Sequence, residues 1–202
     1  MAIAIGMSDK AADLPNRPMT LRELCDFYVP LQAYLQENVP GSKKASLRLG
    51  SQRQLREGFH AYMFGFAYGS LFGCIDTMTI HVIEDVDYDV LLEWKNGGKT
   101  EKMRLQLKEL VGPLVNPKAA PAEDELAKRL NELVTQYPKA TDLTVAIYLN
   151  YPASYGEVKM PKGLQLAGLW VFGWTKPKSE ELFIAGGVRG EHRFFIPWAK
   201  HT

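Results

Sequence analysis

Residues 86–108 read VDYDVLLEWKNGGKTEKMRLQLK. Asn96-Gly97-Gly98 is a strong hairpin signal, because Asn and Gly tolerate the positive φ that tight hairpin turns require. Side chains alternate along a strand. On the first arm Val86, Tyr88, Val90, Leu92 and Trp94 share one face, and Asp87, Asp89, Leu91 and Glu93 share the other. On the second arm Met103, Leu105 and Leu107 form the apolar set, and Lys102, Arg104, Gln106 and Lys108 the polar one. An even loop aligns apolar with apolar and polar with polar. With a loop over 96–99, Asp89 faces Gln106 and Asp87 faces Lys108. A slip of one residue would bring apolar positions against polar ones, so the pattern selects this parity.

The hairpin sits among elements of both kinds. Its first strand is expected over 78–94 and its second over 101–110. Before it, the apolar stripe of Leu55, Phe59, Met63 and Phe66, widened by Phe64, Ala67, Tyr68 and Leu71, predicts a central helix over 52–72. An earlier helix is expected from Thr20, with Glu23 completing a capping box, to about Asn38, ahead of Pro40-Gly41. After the hairpin and a Pro-rich connection, Leu126, Leu130, Leu133 and Tyr137 predict an amphipathic helix over 123–137. Strands are expected at 142–149, 165–174, 181–186 and 192–198; the segment LQLAGLWVFGW is apolar on both faces, as a buried strand is. The sum is an α/β chain: a mixed β-sheet flanked by helices, one domain over 19–202, with residues 1–18 as a flexible lead.

Composition narrows the class. The 202 residues are 46% hydrophobic and 23% charged, which excludes global disorder, collagen-like sequence and a coiled coil. Lys and Arg total 24 against 23 acids, so any nucleic-acid surface must be local. Cys25 and Cys74 lack metal-ligand spacing, which argues against structural zinc and a disulfide scaffold. The opening MAIAIGMSDKAADLPNRP lacks the basic start and long apolar run of a signal peptide. No apolar run reaches the roughly 18 residues of a membrane span. A cytoplasmic protein with reduced thiols and no membrane partner is expected.

The polar face of the hairpin carries the chemistry. Two carboxylates, an amide and an ammonium fall on one patch, and Asp89 and Gln106 oxygens on facing strands are placed to share a divalent cation, which takes oxygen ligands. Lys108 beside them is placed to orient a water or stabilise a crowded phosphate.

At these residues the chain resembles the PD-(D/E)XK superfamily, the restriction-endonuclease-like nucleases. The family pattern is an acid on one strand, Glu-x-Lys or Gln-x-Lys on the next, and often a Glu on a preceding helix. Here Asp89, Gln106-Leu107-Lys108 and Glu57 match it, and the order helix, hairpin, helix, strand over about residues 50–150 matches the family core. The resemblance implies Mg²⁺- or Mn²⁺-dependent phosphodiester hydrolysis. Asp89, Gln106 and the Leu107 carbonyl would hold the ion, Glu57 would bind a metal directly or through water, and Lys108 would orient the attacking water. Nucleic acid, DNA first, is the implied partner; enzymes of this kind that cut both strands often do so as homodimers. Gln106 in place of the commoner Glu lowers the negative charge of the site. That departure favours an alternative, a non-catalytic interaction or nucleic-acid-binding module with the same fold. Asp87 is a substitute for Asp89.

Other readings of the same residues stand beside this one. Cross-strand pairing of Asp87 with Lys108 and Glu93 with Lys102 accounts for the charges of an ordinary half-solvated sheet. Glu57 can pair with Arg53 or His60. Segment 41–60 carries Lys43, Lys44, Arg48, Arg53 and Arg56 against one acid; Lys43, Lys44, Arg53 and Arg56 are the candidate phosphate contacts. The four histidines lack ligand spacing, no serine has a GxSxG context, and Gly97-Gly98-Lys99 lacks the spacing of a phosphate loop. Trp170, Phe172, Trp174, Phe194, Phe195 and Trp198 are read as packing between late strands rather than as base-stacking platforms.

Overall fold

A computed structural model describes residues 14–38, 53–83, 87–111, 122–150, 161–175, 181–187 and 192–197. Lys43 and Lys44 lie outside them. The described elements are β1 (Met19–Thr20), α1 (Leu21–Asn38), α2 (Arg53–Phe72), β2 (Thr79–Val82), β3 (Val90–Asn96), β4 (Lys99–Val111), α3 (Ala122–Gln136), β5 (Ala140–Asn150), β6 (Leu166–Trp174), β7 (Glu181–Gly187) and β8 (His192–Pro197). The eight strands form one sheet whose order follows the chain, β1 to β8. The β4–β5 and β5–β6 pairs are parallel and the others antiparallel, so the sheet is mixed, as expected.

Each face of the sheet has its own core. Val90, Leu92, Leu105, Leu107, Ala146, Tyr148, Trp170 and Phe172 pack with α1 and α2 residues such as Tyr28, Tyr62, Met63 and Phe64. Leu110, Val145, Ile147, Leu149, Leu169 and Val171 pack with Leu126, Leu130 and Leu133 of α3. Strand alternation divides the residues in this way. The parallel register pairs Gln106 with Val145, Lys108 with Ile147 and Leu110 with Leu149, so Gln106 and Lys108 belong to the α3 face. Leu107 pairs with Ala146 and Glu109 with Tyr148, on the α2 face.

Helix α2 is the central element. It is buried along most of its length, from Leu55 to Gly69, as its broad apolar stripe predicts. Phe64 meets Phe172 edge-on at 5.4 Å, and Tyr68 meets Trp170 the same way at 5.6 Å, so these two late aromatics pack under the helix. Helix α1 starts with the expected capping box: the Glu23 N–H donates to Thr20 Oγ1 at 3.2 Å and the Thr20 N–H to Glu23 Oε2 at 2.8 Å.

The hairpin register holds, with Val90 opposite Leu105 and Glu93 opposite Lys102, but three details differ from expectation. The loop is Gly97-Gly98 alone, since Asn96 and Lys99 already pair; both glycines have positive φ, 55° and 82°. The span 78–94 is two strands rather than one: β2 pairs antiparallel with β3, His81 opposite Leu91. Tyr88 packs with the α3-side core rather than beside Val90, because alternation lapses at the bends of Asp87 and Asp89 just ahead of β3. The core also begins inside the expected lead, where Leu14 is buried against α1 and α2.

Candidate functional site

β3 separates from β4 just ahead of Val90. The Asp89 N–H still donates to the Leu105 carbonyl at 3.0 Å, while the Asp89 carbonyl accepts from the Ile83 N–H at 2.8 Å. The next β4 group aimed at this edge is the Leu107 N–H, which would be left in the interior without a partner. Asp89 fills the gap with its side chain: Oδ2 accepts from the Leu107 N–H at 2.8 Å and from the Gln106 side-chain amide. Asp89 and Gln106 are both buried. The sequence thus brings Asp89 and Gln106 together as the hairpin parity predicts.

The remaining groups reach Asp89 from opposite sides. From the α2 face comes Arg53, whose Nη2 lies 3.8 Å from Asp89 Oδ1 and whose Nε lies 2.6 Å from Glu57 Oε1. Glu57 is one helical turn beyond Arg53, half-buried, and close enough to Asp89 for their charges to repel. From the α3 face comes Lys108, whose charge favours ionised Asp89 and whose Nζ sits 5.8 Å from the centre of the Tyr137 ring. Glu57 and Lys108 therefore flank a carboxylate at a strand edge; they do not share one sheet face. The reason is the period of two in β4, which assigns Leu107 to α2 and its neighbours Gln106 and Lys108 to α3.

Electrostatics mark the two acids as unusual. Burial pushes the Asp89 carboxyl above its ordinary range, against the opposing pull of the Leu107 N–H, Lys108, Arg53 and Gln106. Burial also raises Glu57, with Asp89 adding to the rise and Arg53 and Arg56 opposing it. Such perturbed pairs concentrate at functional sites. The wet-face pairing expected for the hairpin is present at Glu93 and Lys102, which form an ion pair.

A further polar group lies on the α2 face. Arg56 is 3.8 Å from Glu109, and Glu109 accepts from Asn150 at 3.2 Å. Buried His60 packs against Tyr148 with the rings tilted, their centres 4.3 Å apart. Arg53, Arg56, Glu57 and His60 recur at helical spacing; Arg56 and His60 reach β4 and β5, while Arg53 and Glu57 lie toward Asp89. Glu109, Asn150 and Tyr148 escaped the sequence reading because only the parallel β4–β5 register brings them under α2.

An oxygen-ligand test of the expected metal comes from the donor set. Asp89 contributes a carboxylate; Gln106, whose side-chain N–H donates to Asp89, would have to turn its amide to offer its oxygen; and Leu107 carries a main-chain carbonyl on the same strand edge as its N–H, since both groups of one strand residue point the same way. These hard oxygen donors suit Mg²⁺ or Mn²⁺. Among the described residues no three His, Cys, Asp or Glu side chains form a metal-binding group, so the amide and main-chain oxygens are needed to complete a set. Also among the described residues, no helix is long and apolar enough to cross a membrane. No protein-family model, curated protein or solved structure matches the chain.

Proposed function

We propose that the chain is a divalent-metal-dependent phosphodiester hydrolase acting on nucleic acid, DNA first, with a restriction-endonuclease-like core. One observation carries this reading: the buried Asp89 carboxylate, the Gln106 amide and the Leu107 main chain meet at a single strand edge. The chain order α2, β2, β3, β4, α3, β5 around them supports it.

Asp89, the Gln106 side-chain oxygen and the Leu107 carbonyl would hold Mg²⁺ or Mn²⁺, with Glu57 as a further carboxylate. The ion supplies polarisation of the phosphoryl oxygen and a bound water of lowered pKa. The protein's own groups supply the rest. Lys108 brings a fixed positive charge beside Asp89 and can hold a water by hydrogen bond while stabilising charge on a phosphate oxygen. Arg56, and Arg53 when it is not engaged by Glu57, offer planar forks suited to phosphate.

A second reading, a non-catalytic module on the same fold, draws on a different observation. Lys108 rests over the Tyr137 ring, and Asp89 already accepts from Leu107 and Gln106 with Arg53 near its other oxygen. Plasmid cleavage separates the two. The hydrolase reading expects nicking or linearisation with Mg²⁺ or Mn²⁺ that is abolished in Lys108→Ala while the fold is kept. Undiminished cleavage in that variant removes Lys108 from the site, and no cleavage by the parent chain with either ion favours the module. A thermal shift with Mn²⁺ reports binding alone: at 100 times Kd an ion adds about 2.7 kcal/mol.

A further inference from the structure

We propose that Arg53 is the resident counter-ion of this site: it neutralises Glu57 and Asp89 until a divalent cation takes its place, and the displaced guanidinium is then available to a substrate phosphate. This inference rests on the hydrolase reading above.

The position of Arg53 in the chain is the first sign. It opens α2, and the first turn of that helix contains no acid. The N-terminus of a helix carries partial positive charge and favours anions, so a cation there weakens the helix locally. Its placement makes sense through the partners it reaches. Nε meets Glu57 Oε1 at 2.6 Å, four residues on, and Nη2 approaches Asp89 Oδ1 at 3.8 Å. One guanidinium thus spans two carboxylates that belong to different elements.

Exposure is the second sign. The Arg53 side chain is 68% exposed, whereas those of Glu57 and Asp89 are 18% and 9% exposed. The cation lies on the solvent side of two largely covered anions. Little solvent reaches the two carboxylates, so the guanidinium that spans them is their nearest compensating charge. Arginine stays protonated under all ordinary conditions, so it yields the place only by moving away. For the guanidinium itself moving costs little, because it is already exposed and readily hydrated, and the incoming ion compensates the two covered carboxylates. A divalent ion brings twice the charge and binds oxygen at shorter range, so exchange is favourable. The structure also supplies an internal control: Arg56, one turn further along α2, is directed to Glu109 instead.

The test is calorimetric titration of the full chain with MnCl₂, comparing the parent with Arg53→Gln and Arg56→Gln. Loss of a competing cation predicts Mn²⁺ binding about two- to fivefold tighter in Arg53→Gln. Arg56→Gln should gain less than half as much. The metal-free Arg53→Gln variant should also melt below the parent, with the gap closing at saturating Mn²⁺. Equal or weaker Mn²⁺ binding in Arg53→Gln overturns the counter-ion role while leaving the metal site standing. An equal gain in Arg56→Gln also overturns it, since general charge would then explain the effect. Absence of Mn²⁺ binding in all three proteins overturns both this inference and the hydrolase reading.

Discussion

The Leu107 main-chain N–H donates to Asp89 Oδ2 across 2.8 Å, where β3 has already turned away from β4. A side chain here does the work of a missing strand. That gives Asp89 a structural duty independent of any ion, and makes the site's acid inseparable from the end of the hairpin.

Removing the carboxylate should expose that duty. Asp89→Ala leaves the Leu107 N–H buried without an acceptor and should destabilise the fold by about 1–3 kcal/mol. Asp89→Asn retains an acceptor oxygen and should lose less, while lacking the charge a metal needs. Urea denaturation of both variants measures the difference. Equal losses would mean that the negative charge, not the hydrogen bond, sustains the edge.

The raised carboxyl of Glu57 has a definite signature in pH. Its folded pKa lies above the unfolded one, chiefly through burial, so the native state holds the extra proton in the window between them. Its destabilising contribution is therefore full above the folded pKa and is relieved as pH falls toward the ordinary carboxylate range. Glu57→Gln is neutral throughout and lacks this dependence. The stability of the variant relative to the parent should be greatest at neutral pH and decline on acidification. Melting temperatures between pH 7.5 and 4.5 check this, and a constant difference would contradict the burial-driven shift.

The helix that carries Arg53 and Glu57 is seated by a glycine. A Cβ at Gly58 would overlap the Tyr28 hydroxyl and Leu14 Cδ1. The Tyr28 hydroxyl is itself committed, donating to the Leu55 carbonyl at 2.9 Å in the interior. Gly58→Ala should therefore cost about 1–3 kcal/mol, despite alanine's better helix propensity. Chemical denaturation gives the value, and a stabilised variant would show that α1 and α2 have room to part.

Much of this geometry is legible in residues 86–108, for a simple reason. A period of two, an Asn-Gly-Gly turn and one buried face leave a single register that keeps Asp89 opposite Gln106. The reversal between β2 and β3 is another matter. From Ile83 to Asp89 there is no Gly, Pro or Asn, and the three Asp that favour a turn alternate with residues that continue a strand pattern, so the reversal is masked. The faces reached by Glu57 and Lys108 are also hidden, because they depend on which side of the sheet each helix covers. Glu109 reads as one more charge in LKEL until Arg56 and Asn150 are brought to it from elements far off in the chain.

The identity of sheet order and chain order bears on how the molecule comes into being. Glu57, Asp89, Gln106 and Lys108 all lie between Arg53 and Val111, in one uninterrupted run of helix and neighbouring strands. During synthesis, which proceeds from the N-terminus, the acid at the gap can be seated by local zippering before the partner strand at Ala140–Asn150 has left the ribosome. The later half of the sheet, joined through the parallel β4–β5 pair, then adds onto an edge that is already prepared.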